Sequence, residues 1–275
     1  MEQQEQAGAL LGNAAGYIAT RTIRIGLDHG LFELIAEQGP ISSADLAEAA
    51  GIDKLYSEVW CRSAFAAGVL EGHEADAYTL APHIEVLLLD KGSPGYLGGL
   101  FKVLTEPEVF DTFADNFESG ERIWWDQTSP KWIAAVGETG GAFNTRFIPG
   151  GISQVPGAAD RLAAGGKVLE LACGTGVGMV RLGTLYPSLD LVGLDGDAHS
   201  LESARSRIDD ARLSNSVHLI ESAMEDLKGD EEFDAITINV SMHECRDIEL
   251  VTAAIYRALK PGGYFLNSDF PFPES

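Results

Sequence analysis

Apolar side chains recur at helical spacing through the first 90 residues of the chain. The segment 22–38 has this spacing and is followed by Gly39-Pro40, which predicts one helix that ends there. A second amphipathic helix is predicted over 53–70, and the polar, glycine-containing segment 71–82 predicts a small β-hairpin. Helices followed by such a hairpin indicate a winged-helix domain over residues 1–90.

From about residue 165 onward, short apolar runs of strand length alternate with helical segments. Strands that alternate with helices form a parallel sheet, and such a sheet binds its ligand beyond the carboxyl ends of its strands. The fold class expected for residues 161–275 is therefore α/β, with a Rossmann-like, doubly wound, mostly parallel sheet. The five predicted strands cover residues 167–173, 190–196, 216–222, 233–241 and 262–270.

Residues 91–160 connect these two regions and are rich in glycine, proline and aromatic side chains, including three of the four tryptophans. Two interpretations of the aromatic rings are open. They pack two domains together, or some of them line an apolar pocket for a small molecule, a kind of site that often lies at a domain junction. Under the second interpretation, the predicted substrate residues are Trp124, Trp125 and Phe147.

The charge of the chain limits its partners. Its 275 residues suggest two domains, and its net charge is −23. Between residues 28 and 90 there are 12 acidic side chains against two basic ones, Lys54 and Arg62. Nucleic acids and anionic membranes are bound mainly through clustered Lys and Arg. We therefore expect neither as a partner, and a packing or dimerisation role for the predicted winged helix.

The three cysteines, Cys61, Cys173 and Cys245, lie far apart and form no CxxC pair. This spacing fits a reducing compartment better than a disulfide framework or a zinc site. The acidic amino terminus is unlike a secretory leader, and no apolar run reaches the length of a membrane span. We expect a cytoplasmic protein without a metal site.

The strongest chemical signal is KVLELACGTGVG (167–178), in which a predicted strand carries Glu170 and then meets a glycine-rich turn. Gly174 and Gly176 would let backbone N–H groups approach a ligand closely. Asp195, nineteen residues beyond Gly176, ends the next predicted strand. A carboxylate there can accept both hydroxyl protons of a ribose, so the pattern indicates a cofactor that contains adenosine.

Two adenosine cofactors are compatible with such a turn, a nicotinamide dinucleotide and S-adenosylmethionine. The carboxylate of Glu170 lies four residues before Gly174. It would repel a pyrophosphate but suits the α-ammonium group of a methionine moiety. The electrostatics therefore favour S-adenosylmethionine, and Asn239 would lie near its methionine end.

The segment ELACGTGVG resembles motif I of the class I S-adenosylmethionine-dependent methyltransferases, with Ala172 where a glycine often stands. The resemblance implies that the turn from Glu170 through Ala172 and Gly174 to Gly176 holds the methionine part of the cofactor. The later segment ALKPGGYFL (258–266) is similar to the turn that enters the fifth strand of that family.

Two further segments are similar to cofactor motifs of the same family. VGLDGD (192–197) is similar to the acidic motif of the second strand, which implies that Asp195 and Gly196 hold the ribose. IESAMEDL (220–227) resembles the stretch beside the adenine, which implies contacts from Ala223 and Met224.

The front half, residues 42–80, is similar to the winged-helix dimerisation domain that precedes small-molecule O-methyltransferase domains. This resemblance implies a homodimer formed through the N-terminal helices. SMHECRD (241–247) follows the fourth predicted strand, where O-methyltransferases of this family carry a His-Asp pair. His243 and Glu244 resemble the pair, which implies that His243 removes the proton of a substrate hydroxyl. General bases typically accelerate such steps by about 10²–10⁴-fold.

The expected function is methyl transfer from S-adenosylmethionine to a small molecule, at a hydroxyl group. His243 can instead be structural, and the same scaffold would then methylate carbon, nitrogen or sulfur. A regulator that senses S-adenosylmethionine and binds DNA, and a NAD-dependent oxidoreductase, are the alternatives from other classes. The resembled family has two more strands after the fifth, so we expect a chain truncated at its carboxyl terminus.

Overall fold

The computed structural model describes residues 3–214 and 216–270, and its chain forms two compact units. The first unit contains the described residues up to Pro107, and the second contains those from Glu108 onward. Residues 91–107 of the aromatic-rich segment therefore lie in the first unit, and residues 108–160 lie in the second.

The first unit is mainly helical, as predicted. A hairpin of two short strands follows its fourth helix and pairs with a third short strand in a small antiparallel sheet of order β1-β3-β2. The helices are α1 (Gln3–Asp28), α2 (Leu31–Gln38), α3 (Ser43–Ala50), α4 (Lys54–Ala66), α5 (Ile84–Leu88) and α6 (Gly98–Thr105). The strands are β1 (Ile41–Ser42), β2 (Leu70–His73) and β3 (Ala77–Leu80).

The prediction of a single helix over 22–38 is wrong, because the chain turns between α1 and α2. Gly30 adopts a left-handed conformation with φ 65°, which glycine adopts without steric cost. The turn directs α2 back into the core of the unit, where Phe32 meets the edge of Trp60 with ring centroids 5.4 Å apart. The apolar spacing on both sides of Gly30 is the same, so periodicity alone does not reveal the break.

Most of α1 lies outside this core. Only Thr22, Ile23 and Gly26 of its 26 residues are buried. Its exposed large apolar side chains are Leu10, Leu11, Tyr17, Ile18 and Ile25. No helix within residues 3–214 and 216–270 has both the length and the hydropathy to cross a membrane.

The second unit contains the predicted parallel sheet. Its strands are β4 (Gly166–Leu171), β5 (Leu189–Asp195), β6 (Val217–Glu221), β7 (Phe233–Asn239) and β8 (Leu259–Ser268), in the order β6-β5-β4-β7-β8. Every neighbouring pair is parallel. The helices are α7 (Glu108–Asp115), α8 (Pro130–Thr145), α9 (Ala158–Ala163), α10 (Val177–Leu185), α11 (Ala198–Asp210) and α12 (Ile248–Ala258). The α/β, Rossmann-like fold class is confirmed.

The strand order positions the site. After β6 the chain crosses to the other side of β4, so the direction of winding reverses between β4 and β7, where such sheets bind ligands. Alternate residues of β4 face opposite layers of the core. Leu169 and Leu171 pack with α12, whereas Val168 packs with α10 and α11. Glu170 shares the face of Val168, so its carboxylate points toward the layer of α10.

Candidate active site

The turn between β4 and α10 has an unusual backbone. Ala172, Gly174 and Gly176 all have positive φ, at 49°, 51° and 76°. Left-handed backbone costs a residue with a Cβ about 1–2 kcal/mol, and Ala172 carries this strain. A Cβ on Gly176 would lie 2.9 Å from the Cβ of Ala204 on α11. Glycine therefore allows α10 to start close to α11, with its first N–H groups free of partners within the helix.

Asp195 closes this turn from the end of β5. Its Oδ2 accepts a hydrogen bond from the Gly174 N–H at 2.7 Å, and its Oδ1 accepts one from the Asp197 N–H at 2.9 Å. Burial nevertheless raises the pKa of this carboxyl above its ordinary value. The space next to Gly196 is open, apart from the Ser222 carbonyl oxygen at 3.8 Å from a Cβ built there.

Glu170 is a buried carboxyl group with an unsatisfied oxygen. The residue is only 4% exposed, and its Oε2 accepts no hydrogen bond from any described residue. Burial first, and then the charge of Asp195, raise the pKa of Glu170 to about 8. Gly178 of α10 lies directly against the carboxylate, where any side chain would collide with it. The structure thus keeps space for this carboxylate without providing a partner for it.

Glu244 is the third carboxyl group of this region with a raised pKa. Burial is the main cause, and the charge of Asp195 adds to it, which brings the pKa of Glu244 to about 7. Within residues 3–214 and 216–270, no Lys or Arg forms an ion pair with Glu170, Asp195 or Glu244. The carboxyl ends of β4, β5 and β7 therefore group three carboxyl groups whose ionised forms a bound cation would stabilise.

Asn239 ends β7 and contacts α8. Its Nδ2 donates a hydrogen bond to Asn144 Oδ1 at 3.0 Å, while its own Oδ1 is buried without a partner among the described residues. Helix α8 also approaches the glycine turn, because a Cβ on Gly137 would lie 3.0 Å from Thr175 Cγ2. Helix α8 thus extends along the carboxyl edge of the sheet. Sequence reasoning did not identify Asn144, since nothing near it in the chain resembles a motif.

The segment predicted to lie beside the adenine follows β6. Ala223 precedes a 3₁₀ turn over Met224–Asp226, and Met224 is partly buried against the core layer of α12. The neighbouring Ser222 N–H donates to the Asp195 carbonyl oxygen at 2.9 Å. This bond places the segment beside the end of β5.

His243 lies in a 3₁₀ turn over Met242–Glu244, directly after β7. Its Nδ1 is 2.8 Å from Oδ1 of Asp269, which follows β8. Asp269 is held in turn by the Met242 N–H, which donates to its Oδ2 at 3.1 Å. Sequence reasoning missed Asp269, which lies 26 residues further along the chain and becomes a neighbour only because β7 and β8 pair.

A cavity of about 660 Å³ opens beside His243 and Glu244 within the second unit. Its walls include five large aromatic side chains, Phe113, Phe117, Trp124, Trp125 and Trp132. The structure therefore brings the predicted residues Trp124 and Trp125 together with His243 and Glu244. Among the described residues, no cluster of His, Cys, Asp or Glu is arranged to hold a metal ion.

Phe147, by contrast, is not among the residues that line this cavity. It is 7% exposed and packs with Ile148 and Ile152 in the core layer of α10. The chain bends over Arg146–Gly151, directly after α8, and this bend turns the ring inward. A Cβ on Gly151 would lie 2.9 Å from the ring, so the close contact needs a residue without a side chain.

Comparisons with known proteins give matches in both sequence and fold. Residues 168–263 match the protein family described as "Methyltransferase domain". The demethylmenaquinone methyltransferase of Symbiobacterium thermophilum is 26% identical over 165 residues, which cover 58% of this chain and 56% of the relative. The protein of the same name from Lactobacillus johnsonii is 33% identical over 105 residues, covering 38% of this chain and 43% of the relative. The chain thus spans about half the length of the curated relatives it matches.

Solved structures are similar over nearly the whole chain. The mitomycin 7-O-methyltransferase MmcR has a TM-score of 0.75 at 19% identity, covering 99% of this chain and 82% of its own. The N,N-8-amino-8-demethyl-D-riboflavin dimethyltransferase RosA from Streptomyces davawensis gives 0.61 at 21%, with coverages of 92% and 78%. An O-methyltransferase from neocarzinostatin biosynthesis, solved with S-adenosylmethionine and 2-hydroxy-5-methyl naphthoic acid, gives 0.56 at 18%, with coverages of 91% and 79%. Together with the parallel sheet and the glycine turn, these matches show that the chain contains a methyltransferase domain of the class I fold.

Proposed function

We propose that this protein transfers a methyl group from S-adenosylmethionine to a hydroxyl group of a small molecule. The observation that carries the proposal is the grouping of Glu170, Asp195 and Glu244 at the carboxyl edge of the sheet, all with raised pKa and without a Lys or Arg partner among the described residues. S-adenosylmethionine brings an ammonium and a sulfonium charge, which would stabilise the ionised carboxylates. A dinucleotide would bring a negatively charged diphosphate to the same groups, so a nicotinamide cofactor does not fit.

Each part of the cofactor has matching residues. Glu170 would bind the α-ammonium group, since its buried Oε2 lacks a hydrogen-bond donor. The turn from Ala172 through Gly174 to Gly176 would lie along the methionine part, and Asn239 Oδ1, also without a donor, would accept a hydrogen bond there. When bound, the cofactor supplies a methyl group on a positively charged sulfur.

The nucleoside would be held at the end of β5. Two backbone N–H groups fix the Asp195 carboxylate, and each of its oxygens keeps a lone pair for a ribose hydroxyl. Gly196 leaves room beside it. Ala223 and Met224 would pack against the adenine. Glu225, a further acidic residue of this segment, has its Oε1 bonded to the Arg246 N–H at 2.8 Å.

The aromatic cavity would bind the methyl acceptor. Its volume of about 660 Å³ lies within the range of about 300–1,000 Å³ found for small-molecule sites. Rings such as those of Trp124 and Trp125 stack favourably on planar molecules. We therefore propose a planar, hydroxylated aromatic acceptor, the chemical class to which the naphthoic acid of the neocarzinostatin enzyme belongs.

His243 would act as the base. The Asp269 carboxylate accepts a hydrogen bond from Nδ1–H, which leaves Nε2 to accept the proton of the acceptor hydroxyl. Nε2 of His243 would accept the hydroxyl proton as the acceptor oxygen takes the methyl group, and the sulfur would keep the electron pair of the broken carbon–sulfur bond. The imidazolium that results would be stabilised by Asp269, whose Oδ1 lies 2.8 Å from Nδ1. The ionised form of the adjacent Glu244 would also stabilise it, since the two groups interact electrostatically.

Methylation of nitrogen on the same scaffold is the second candidate, because RosA is a dimethyltransferase of an amino compound by its name. An amine acceptor with a free lone pair needs no base. The two candidates therefore differ in their dependence on His243. Carbon and sulfur acceptors stay open in the same way, whereas a DNA-binding regulator would not need a cavity beside His243.

We also propose a homodimer formed through the first unit. Its α1 exposes Leu11 at 71% and Ile18 at 63%, and α4 exposes Tyr56 at 77%. Apolar area of this extent is normally covered by a partner. Cys61, Cys173 and Cys245 are free thiols. The cytoplasmic location stays a prediction from the sequence.

Substitution of His243 by alanine tests the proposed reaction. We expect kcat/KM for a planar hydroxylated aromatic acceptor to fall by at least about 10²-fold, because proton removal is lost. The measurement is the formation of methylated product and S-adenosylhomocysteine by mass spectrometry across a panel of such acceptors. The dissociation constant of S-adenosylhomocysteine should stay unchanged.

His218 provides the matched control, because it is exposed on β6 and its Nε2 lies 3.7 Å from Asp190 Oδ1, away from the cavity lining. His218→Ala should keep full activity. A His243→Ala enzyme that retains its rate would contradict the base role and favour nitrogen, carbon or sulfur as the acceptor atom. If wild-type protein bound NAD but not S-adenosylhomocysteine, the proposed function as a whole would fail.

A further inference from the structure

Most of the residues that line the cavity belong to one segment, residues 116–128, which we name the aromatic wall. It connects α7 to α8 and has little regular structure, apart from a 3₁₀ turn over Trp125–Gln127. Trp124 and Trp125 are its largest side chains. A segment with so little regular structure needs side-chain contacts with the loops of the sheet if its rings are to keep a fixed position.

Arg246 makes contacts of this kind. It follows His243 and Glu244 in the same loop after β7, and its Nη2 lies 2.6 Å from both carboxylate oxygens of Asp126. Its guanidinium carbon also lies 5.3 Å from the centre of the Trp124 ring. The Arg246 side chain therefore contacts both the Asp126 carboxylate and the Trp124 ring of the aromatic wall.

The backbone of Arg246 is fixed independently of its side chain. Its N–H donates to Glu225 Oε1 at 2.8 Å, and Glu225 also accepts from the Asp247 N–H at 3.4 Å. The loop that carries His243 is thereby anchored to the segment after β6. A further polar contact of this region, between Ser129 and Glu108, joins α8 to α7 and does not involve that loop.

The contacts of Arg246 with Asp126 and Trp124 are weak enough to break and re-form. The side chains of Arg246 and Asp126 are 52% and 62% exposed, and exposed ion pairs contribute little to overall stability. The contact with Trp124 adds a cation–π interaction of similar size. The two together can bias the position of the wall without locking the cavity against an acceptor.

We propose that Arg246 is a positioning residue that holds the aromatic wall against the loop of His243 and so determines acceptor affinity. The idea rests on the proposed function for its consequence in catalysis. The contact itself can be tested without any reaction, because loss of the Arg246 side chain should make the aromatic wall more mobile whatever the protein binds.

Hydrogen exchange measured by mass spectrometry is the first test. Arg246→Ala should raise the exchange of peptides from residues 116–128 by about five- to thirtyfold, the factor expected from one exposed ion pair and one cation–π contact. Asp126→Ala should raise it by less, because Trp124 keeps its cation. The double variant should be no more labile than Arg246→Ala, since both changes remove one shared interaction.

Arg62 is the control, as an exposed arginine paired with Glu58 on α4 in the first unit. Arg62→Ala should leave the exchange of residues 116–128 unchanged. If Arg246→Ala also left it unchanged, or if the two single effects added fully in the double variant, the proposal would be overturned.

Kinetics are the second test. Arg246→Ala should raise the KM of the acceptor by about five- to thirtyfold, while kcat, its pH profile and the dissociation constant of S-adenosylhomocysteine stay as in the wild type. Arg246→Lys should restore part of the affinity, since it keeps the charge for Asp126 but loses the planar group over Trp124. A shifted pH profile with unchanged KM would show that Arg246 acts on His243 instead, and would refute the role in the wall. If the wild-type protein transferred no methyl group, the proposed function would be refuted. The exchange data would still show whether Arg246 holds the aromatic wall in place.

Discussion

Glu170 is a residue whose burial works against folding at neutral pH. The carboxyl has an ordinary pKa of 4.5 and a pKa of about 8 in the folded protein. The folded state therefore binds more protons than the unfolded chain between these values. The stability that this proton provides is fully present below about pH 4.5 and is lost as the pH rises toward about 8.

Replacement of Glu170 by glutamine should therefore stabilise the cofactor-free protein at alkaline pH. At pH 8.5 the melting temperature of Glu170→Gln should exceed that of the wild type, because no charge has to be buried. Near pH 5 the two melting temperatures should approach each other. Calorimetry across pH 5–8.5 measures the difference, and a lower melting temperature for Glu170→Gln at pH 8.5 would argue against a buried, unpaired carboxylate.

The same substitution should weaken cofactor binding. S-adenosylhomocysteine carries the α-ammonium group, so Glu170→Gln should raise its dissociation constant by about tenfold or more, as expected for a lost charged hydrogen bond. Titration calorimetry measures this effect. Glu202→Gln on the exposed face of α11 is the control and should change neither stability nor binding.

Helix α8 leads from the cavity to the end of β7. Val136, which lines the cavity, and Asn144, which bonds to Asn239, share one face of the helix with Gly140 between them. A Cβ on Gly140 would meet no atom within 4 Å. The space beside Gly140 therefore lies between the proposed acceptor site and the proposed methionine end of the cofactor.

Gly140→Ala should separate stability from activity. Alanine favours a helix interior by about 0.5–1 kcal/mol over glycine, so the melting temperature should rise by roughly 1–4 °C. The added methyl group should nevertheless lower kcat/KM, because it occupies the path between acceptor and cofactor. Scanning calorimetry and steady-state kinetics measure the two effects.

Gly141 offers a matched comparison, since a Cβ there also meets nothing within 4 Å and points about 100° away around the helix. Gly141→Ala should give the same gain in stability with a smaller effect on rate. Equal losses of activity in the two variants would contradict the assignment of the Gly140 face to the reaction path.

The elements that sequence predicts well are those whose signals are local. The glycine turn after Glu170 and the strand that ends at Asp195 need only a few neighbouring residues to be identified, and all five predicted strands are present. The break at Gly30 was missed because helical periodicity continues across it. Phe147 was assigned to the pocket on composition, whereas its direction depends on the bend over Arg146–Gly151.

Contacts between distant parts of the chain could not be predicted in this way. Asp269 reaches His243 through the pairing of β7 and β8. Arg246 and Asp126 lie 120 residues apart, and neither belongs to a motif. Sequence motifs therefore predict a role for His243 but do not point to Asp269, which contacts its side chain, or to Asp126, which contacts Arg246 in the same loop.

At the scale of the whole molecule, the exposed apolar side chains of α1 are the feature that bears on assembly. An isolated helix is marginally stable in water, yet most of α1 is exposed. Leu11→Glu should convert the proposed dimer to a monomer, because a charge would be buried at the interface. Sedimentation equilibrium measures the mass of the assembly.

Tyr256 is a suitable control because it is 84% exposed on α12 in the second unit. Tyr256→Glu should leave the assembly unchanged. A wild-type protein that sediments as a monomer at micromolar concentration would contradict the proposed dimer, and equal dissociation by both variants would show that the interface is not at α1.

The carboxyl groups without a Lys or Arg partner in the described part of the chain also bear on product release in the proposed reaction. A sulfonium becomes a neutral thioether when its methyl group leaves, so the spent nucleoside carries one positive charge fewer than the fresh one. A strongly acidic protein attracts cations over long distances, and dissolved salt weakens this attraction. Preference for fresh over spent nucleoside should therefore be greatest in dilute buffer and shrink as ionic strength rises, which would make product release in this molecule an electrostatic event.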